Sequence, residues 1–283
     1  MDPLLVAVAP SIPPYMRDDL SLDVSPEGIA REVVRACEAG ASIAHLHVWD
    51  EMGQPTQDTD AFECTLRLIR DQCDIVIEGS TGGFNDLTPE ERSVSLRADV
   101  EMASLNPGSV NYDAGVYINA PDAVRYWAEE MHRRRIKPDV AIFEAGMISN
   151  TVHLIEQSLL APPYLFSFVL GQRGAMAATA RNLCFLSQSL PAGSHWAAVG
   201  HSGNDLRIAA MSMSMGGHVR AGFEDNAFYR PGEPATGNAQ LVARLVRIAG
   251  ELGREVATPA MAREMLGLAP TSHTRRAQAR RPM

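Results

Sequence analysis

Eight short apolar runs, each followed by residues with helical spacing, constrain this chain more than any other feature. The runs are Leu4-Leu-Val-Ala-Val-Ala9, Ala41-Ser-Ile-Ala-His45-Leu-His47, Asp74-Ile-Val-Ile-Glu-Gly79, Glu101-Met-Ala-Ser104-Leu, Pro138-Asp-Val-Ala-Ile-Phe143, Tyr164-Leu-Phe-Ser-Phe-Val-Leu170, His195-Trp-Ala-Ala-Val-Gly200 and Gly216-Gly-His218-Val-Arg220. Runs of this length read as buried strands. Between them, helices are expected from Ser25-Pro26-Glu27 to Gly40, Asp58 to Gln72, Pro121 to Arg135, Asn150 to Leu160 and Ala178 to Ser189. A Met-rich helix closes at Met211 to Met215, and another runs from Gly237 to Leu252 with Leu241, Leu245 and Ile248 on one face. The first of these has a serine N-cap, a proline at the first helical position and a glycine stop. Parallel strands joined by helical crossovers, repeated eight times, predict an α/β fold: a (β/α)8 TIM barrel formed by residues 1–270 as one catalytic domain.

Composition narrows the function. Of 283 residues, 46% are hydrophobic and 21% charged, as in a globular enzyme with a sizeable core. The net charge of -9 argues against nucleic-acid binding, which rests on basic patches that displace counterions from phosphate. The one dense basic run, Arg275-Arg276-Ala-Gln-Ala-Arg280-Arg281, lies in 271–283 and is expected to be a frayed tail. Cys37, Cys64, Cys73 and Cys184 show no C-x-x-C spacing and read as buried free thiols. With no signal-peptide pattern at Met1 and no apolar run of membrane-spanning length, the expectation is a cytoplasmic protein without membrane partners.

In such a barrel the chemistry belongs at the C-terminal strand ends. His45 and His47 alternate onto one face of strand two, a spacing that suits zinc and equally suits two histidines hydrogen-bonded in a polar interior. A third ligand must come from elsewhere, and Glu224 after strand eight is the candidate. The rival assignment makes Asp225 the ligand and Glu224 a salt-bridge partner, since neighbours on a strand cannot both face inward. Arg220 beside these acids could be a structural ion pair, an anchor for an anion or the group that orients Asp225 as a base. Ser80-Thr81-Gly82-Gly83 ends strand three in a small-residue turn where backbone amides can approach an anion, or where glycine merely supplies positive φ. Ser104 and Asn106 end strand four.

Five separated motifs carry a resemblance: His45-Leu-His47-Val-x-Asp50-x-x-Gly53-x-Pro55, Ser80-Thr-Gly-Gly83, Ser104-Leu-Asn106-x-Gly108-Ser109, Gly146-Met147, and Gly216-Gly-His-Val-Arg220-x-Gly-x-Glu224-Asp225-Asn226, with Asn238-Ala-Gln240 and the Gly253 to Arg263 stretch following. In these, residues 4 to 268 resemble the β-keto acid cleavage enzymes, whose founding activity is cleavage of 3-keto-5-aminohexanoate. The resemblance implies a zinc-dependent reaction in which a β-keto acid and acetyl-CoA become acetoacetate and a new acyl-CoA. It implies His45, His47 and Glu224 as metal ligands, Asp225 as general base oriented by Arg220, and Ser80 and Ser104, with Thr81, Gly82 and Asn106 beside them, as groups that hold the substrate. It also implies a homo-oligomer, dimer or tetramer.

Three departures from the family shape the expected substrate. Pro10-Ser-Ile-Pro-Pro-Tyr-Met offers no acid before Asp18, so an ammonium-bearing substrate would be left unpaired and a neutral or acidic side chain is expected. Many relatives carry a carboxylate where Ala141 stands, for which Glu144 on the same strand is a partial substitute. Relatives read Gly-x-Gly-Arg where this chain has Gly200-His201-Ser202-Gly203, which removes an arginine from the coenzyme A path; Arg173 is a replacement or a plain surface residue. These changes leave two alternatives, a zinc-assisted keto-acid lyase or aldolase that works without coenzyme A, and a catalytically weak metal-binding homologue that serves as a ligand-binding protein.

Overall fold

The computed structural model describes residues 1–12 and 23–268, so Asp18 and the basic tail lie outside the described residues. Eight parallel strands close into a barrel. In barrel order they are β1 (Val6–Val8), β2 (Ile43–Leu46), β3 (Val76–Gly79), β4 (Met102–Leu105), β7 (Lys137–Ile142), β8 (Leu165–Leu170), β9 (His195–Gly200) and β10 (His218–Ala221), which returns to β1. The helices are α1 (Pro26–Glu38), α2 (Asp60–Arg70), α3 (Pro89–Arg92), α4 (Pro121–Arg134), α5 (Gly146–Glu156), α6 (Ala180–Gln188), α7 (Asp205–Ser214), α8 (Asn238–Glu251) and α9 (Pro259–Leu266). The (β/α)8 expectation is met. Among the described residues no helix is long and apolar enough to cross a membrane.

Local chemistry explains most boundaries. Ser25 Oγ accepts from Gly28 N (3.1 Å), with Pro26 at the first helical position, so α1 starts as the sequence says. Helix α5 starts at Gly146 rather than near Asn150, because its first turn has no side-chain cap to announce it. Two hairpins, β5 (Val110–Tyr112) with β6 (Gly115–Tyr117) and β11 (Phe228–Arg230) with β12 (Glu233–Pro234), interrupt what had read as loops. The four cysteines are free but half-buried rather than buried. In the Met-rich helix, Met213 is core, whereas Met215 beyond its end is exposed.

The barrel interior is layered by strand parity. Leu5, Ile43, Val76, Met102 and Leu165 form an apolar floor, closed from below by Ala262 and Leu266 of α9. Two residues further along β2, β3, β4 and β8 the inward positions turn polar, at His45, Glu78, Ser104 and Ser167, and β7 adds Asp139 at the same level. Period-two alternation thus delivers an apolar base and a polar mouth from one set of strands.

Candidate active site

The same parity continues into the mouth. His45 and His47, Ser80, Ser104 and Asn106, Ala141 and Phe143, Val169, Val199 and His201, and Arg220 all line one cavity of about 520 Å³, joined by Glu224 and Asp225. The turn that carries the two acids is placed by Gly222 (φ +150°), whose lack of a Cβ lets it lie against Ala9, where an added carbon would stand 2.1 Å from the Ala9 carbonyl oxygen. Glu224 N then donates to Ala9 O (3.2 Å). Asn238 braces the turn from behind: its Oδ1 accepts from Phe223 N (2.9 Å), while its Nδ2 donates to Glu32 Oε2 (2.9 Å). Asn238 is fully buried.

The rival assignment of the two acids rested on strand alternation, and the structure removes its premise. Strand β10 ends at Ala221, so Glu224 and Asp225 sit in a turn and both face the mouth. Arg220 donates from Nε to Asp225 Oδ2 (2.9 Å) and from Nη2 to Asp225 Oδ1 (2.8 Å), and Nη2 also reaches Glu224 Oε1 (2.5 Å). The structural ion pair and the oriented carboxylate are therefore the same contact.

His45, His47 and Glu224 bring one donor atom each within 4.8 Å of one another. Glu224 Oε1 stands 3.3 Å from His47 Nε2 and 3.6 Å from His45 Nε2. Metal–ligand bonds near 2.0–2.1 Å set neighbouring ligands about 3.3 Å apart around a tetrahedral zinc, so the spacing fits such an ion. Glu224 Oε2 is buried with no hydrogen-bond partner, the state of an atom that another ligand is meant to satisfy. Protonation agrees with this. Burial pushes the His45 ring down to about 3, which leaves it neutral. Burial alone would raise Glu224, but Arg220, then His47 and His45, hold it well below the usual carboxylate range. His45 Nδ1 is joined to Glu78 Oε1 (2.7 Å), which fixes the ring and turns Nε2 to the cavity, as ligating histidines require.

Sequence reasoning missed Glu78 and Asp139 beneath the centre. Burial raises Glu78 to about 7. Burial and the nearby Glu78 raise Asp139 to about 8, and its Oδ2 accepts from Ser167 Oγ (2.8 Å). The signal was available, since Val76-x-Glu78-x-Ser80 has the inward parity of His45. His201 entered the sequence reading only as part of the turn that lacks an arginine; it lines the cavity with Nε2 3.6 Å from Asp225 Oδ1, and burial depresses its pKa.

The predicted substrate-holding residues divide. Ser80 Oγ accepts from Gly82 N (3.0 Å) and Ser104 Oγ accepts from Thr81 N (3.1 Å), so among the described residues both hydroxyl protons remain to be donated into the cavity. Asn106 and Gly82 also line it. Thr81 does not: it is fully buried and donates its hydroxyl to Ser104 O (2.6 Å), tying β3 to β4. Neither Gly82 nor Gly83 has positive φ, so glycine here serves close approach rather than backbone strain. Glu144 lies past the end of β7 and is not among the cavity residues, so it does not replace a carboxylate at Ala141, which is. Arg173 is exposed near Asp113, 3.9 Å away, and lies outside the cavity lining.

Comparison with known proteins agrees with the motifs. Residues 4–268 match the family described as beta-keto acid cleavage enzyme. This chain belongs to that family. A 3-keto-5-aminohexanoate cleavage enzyme of Fusobacterium nucleatum is 41% identical over 244 residues, 86% of this chain and 89% of the relative. A 3-oxoadipate:acetyl-CoA acetyltransferase of Cupriavidus necator is 35% identical over 268 residues, 93% of each. Among solved structures, apo ObcA superposes with a TM-score of 0.77 at 20% identity over 88% of this chain, which itself spans 66% of the ObcA chain. That likeness concerns the fold, and the fold of this β-keto acid cleavage enzyme family member is the same barrel.

Proposed function

We propose that the protein cleaves a β-keto acid with a neutral side chain, using zinc and acetyl-CoA, and releases acetoacetate and a new acyl-CoA. The observation that carries this reading is the convergence of His45, His47 and Glu224 beside the Arg220-held Asp225 in one cavity. The family relationship and the acetyl-CoA-dependent activity in the name of the Cupriavidus necator relative supply the reaction class.

The substrate's side chain is inferred from the apolar part of the cavity lining. Ala141, Phe143, Val169 and Val199 present apolar surface there. Within the described lining, Arg220 is engaged by two carboxylates, and Arg92 is buried with its donors on neutral acceptors that include Tyr117 Oη, so neither guanidinium is free to pair directly with an acidic tail. Glu91, at the rim, accepts from Thr88 N in its own helix cap and is not turned toward an ammonium group.

Zinc, when bound, supplies Lewis-acid polarisation of the keto group. The chain does the rest. Ser80 and Ser104 donate their free hydroxyl protons to substrate oxygens, and Asp225, fixed by two hydrogen bonds from Arg220, removes a proton from the carbon between carboxylate and ketone. The enolate carbon attacks the acetyl thioester and expels the coenzyme A thiolate. The thiolate adds to the original keto carbon, the adjacent carbon–carbon bond breaks, and the acetoacetate carbanion regains its proton from Asp225. No covalent enzyme intermediate is needed. The test is a panel of β-keto acids incubated with acetyl-CoA and followed for acetoacetate. Turnover of neutral members that requires acetyl-CoA supports the reading, whereas cleavage without acetyl-CoA, or none across the panel, refutes it.

A further inference from the structure

The hairpin β5–β6 folds over the mouth and inserts Tyr117 into the cavity lining. Its ring is held edge-on by Tyr112 and Phe143, with centroids 6.2 and 6.4 Å away. Behind it lies Arg92, a buried guanidinium sandwiched between the rings of Tyr117 (5.1 Å) and Trp127 (4.4 Å). Arg92 donates to Thr81 O (3.4 Å), Ile118 O (2.8 Å), Asn119 Oδ1 (2.7 Å) and Tyr117 Oη (2.9 Å). All four acceptors are neutral, so this charge has no carboxylate among its hydrogen-bonded partners. A buried cation satisfied only by dipoles leaves a positive potential that an anion can complete.

The phenol transmits that potential. Tyr117 Oη accepts from Arg92 Nη2, and among the described residues its own proton has no protein acceptor. Burial raises its pKa, so it stays a donor. In front of it is Gly82, which lines the same cavity. A point one bond from the Gly82 Cα lies 3.0 Å from Ser80 Oγ, 3.4 Å from Tyr117 Oη and 3.6 Å from His47 Cε1. The two hydroxyls therefore flank Gly82 on the side that faces the cavity, where the two oxygens of a single carboxylate can each accept a proton. Gly82 does not need positive φ, but a side chain there would crowd Ser80 Oγ, so glycine leaves both hydroxyls open to the cavity.

We propose that this cradle takes the substrate's carboxylate, with Tyr117 donating a hydrogen bond to one oxygen and Arg92 behind it as the balancing charge. The assignment rests on the β-keto acid reading and adds Tyr117 and Arg92 as the residues that select a carboxylate over a neutral ketone. A permanent anion fits better than a transient oxyanion of the thioester, because the Arg92 charge is present throughout.

The test is calorimetric titration of zinc-loaded wild type and Tyr117→Phe with acetoacetate and with its methyl ester. The variant keeps the ring contacts and loses only the hydroxyl. Acetoacetate is expected to bind roughly tenfold or more weakly to Tyr117→Phe, with ester binding and metal content unchanged. Gly82→Ala, which fills the cradle, is expected to lose acetoacetate binding and keep the metal. The proposal is overturned if the variant binds acetoacetate as tightly as wild type, if both ligands weaken equally, or if zinc-loaded wild type does not bind acetoacetate. Acetyl-CoA-dependent cleavage is scored separately in wild type. Acetoacetate binding that depends on Tyr117, without such cleavage, refutes the reaction and supports the cradle.

Discussion

The two ends of this barrel are built from the same strands and treat buried polar groups in opposite ways. At the floor the buried charged groups have their hydrogen bonds filled by the protein. Arg263 holds Glu101 (2.5 Å) and Asp74 (3.1 Å), and Glu101 also accepts from Ile77 N (3.1 Å). Arg254 donates to the carbonyls of Asp2 (3.0 Å), Gly216 (3.2 Å) and Gly217 (2.5 Å). At the mouth Glu224 Oε2 and Asp139 Oδ1 are buried with no hydrogen-bond partner. Burial holds His45 and His218 alike near 3, yet His218 Nδ1 accepts from Leu5 N (3.1 Å) whereas His45 Nε2 faces Glu224 and His47. A shifted pKa marks burial at both ends; an unfinished hydrogen-bond set marks the end that binds something.

The sharpest way to break this contrast is to remove a ligand. His45→Ala or Glu224→Ala is expected to lose the zinc equivalent and to lower turnover by about 10³-fold or more. Metal analysis beside the rate decides it, since a variant that keeps a full equivalent shows that these side chains do not form the centre. Asp225→Asn separates chemistry from metal within the mouth. It should retain the ion and the Arg220 contact and lose roughly 10²- to 10⁴-fold in rate. Undiminished turnover would assign the base elsewhere.

The floor should respond in stability alone. Arg263→Met leaves Glu101 buried without its cation, a loss on the order of 3 kcal/mol. Thermal or urea unfolding measures it, and the KM for the keto acid should not move. A changed KM with unchanged stability would mean that the two ends are not independent.

Much of this was readable from parity and order. His45, His47, Ser80, Ser104 and Asn106 fall at strand ends in a chain whose eight repeats point to the closed barrel, and that barrel brings them to one mouth. What stayed hidden depended on distance in three dimensions. The joint inward position of Glu224 and Asp225 follows from the place where β10 stops, which no local pattern marks. Glu78 and Asp139 read as strand residues until the register sets Glu78 opposite His45 and Asp139 opposite Ser104. Tyr117 belongs to a hairpin of three-residue strands, too short for alternation to reveal.

His218 offers the finest test of the comparison, because it shares its pKa direction with His45 but not its surroundings. Burial pushes it down to about 3 in the folded protein, against about 6.5 for an unfolded chain. Above pH 6.5 the ring is neutral in both states and its contribution is constant. As pH falls from 6.5 toward 3, the unfolded chain takes up a proton that the folded chain refuses, so folding stability declines across that window. His218→Asn keeps an acceptor for Leu5 N and has no ring to titrate. It should cost about 1 kcal/mol at pH 8, and the gap to wild type should narrow as the medium is acidified. Acid-dependent effects from the mouth are common to both proteins and cancel in the difference. Chemical denaturation at a series of pH values reads that difference directly, and a gap that stays constant or widens below pH 6 would show that His218 is not held neutral by the floor.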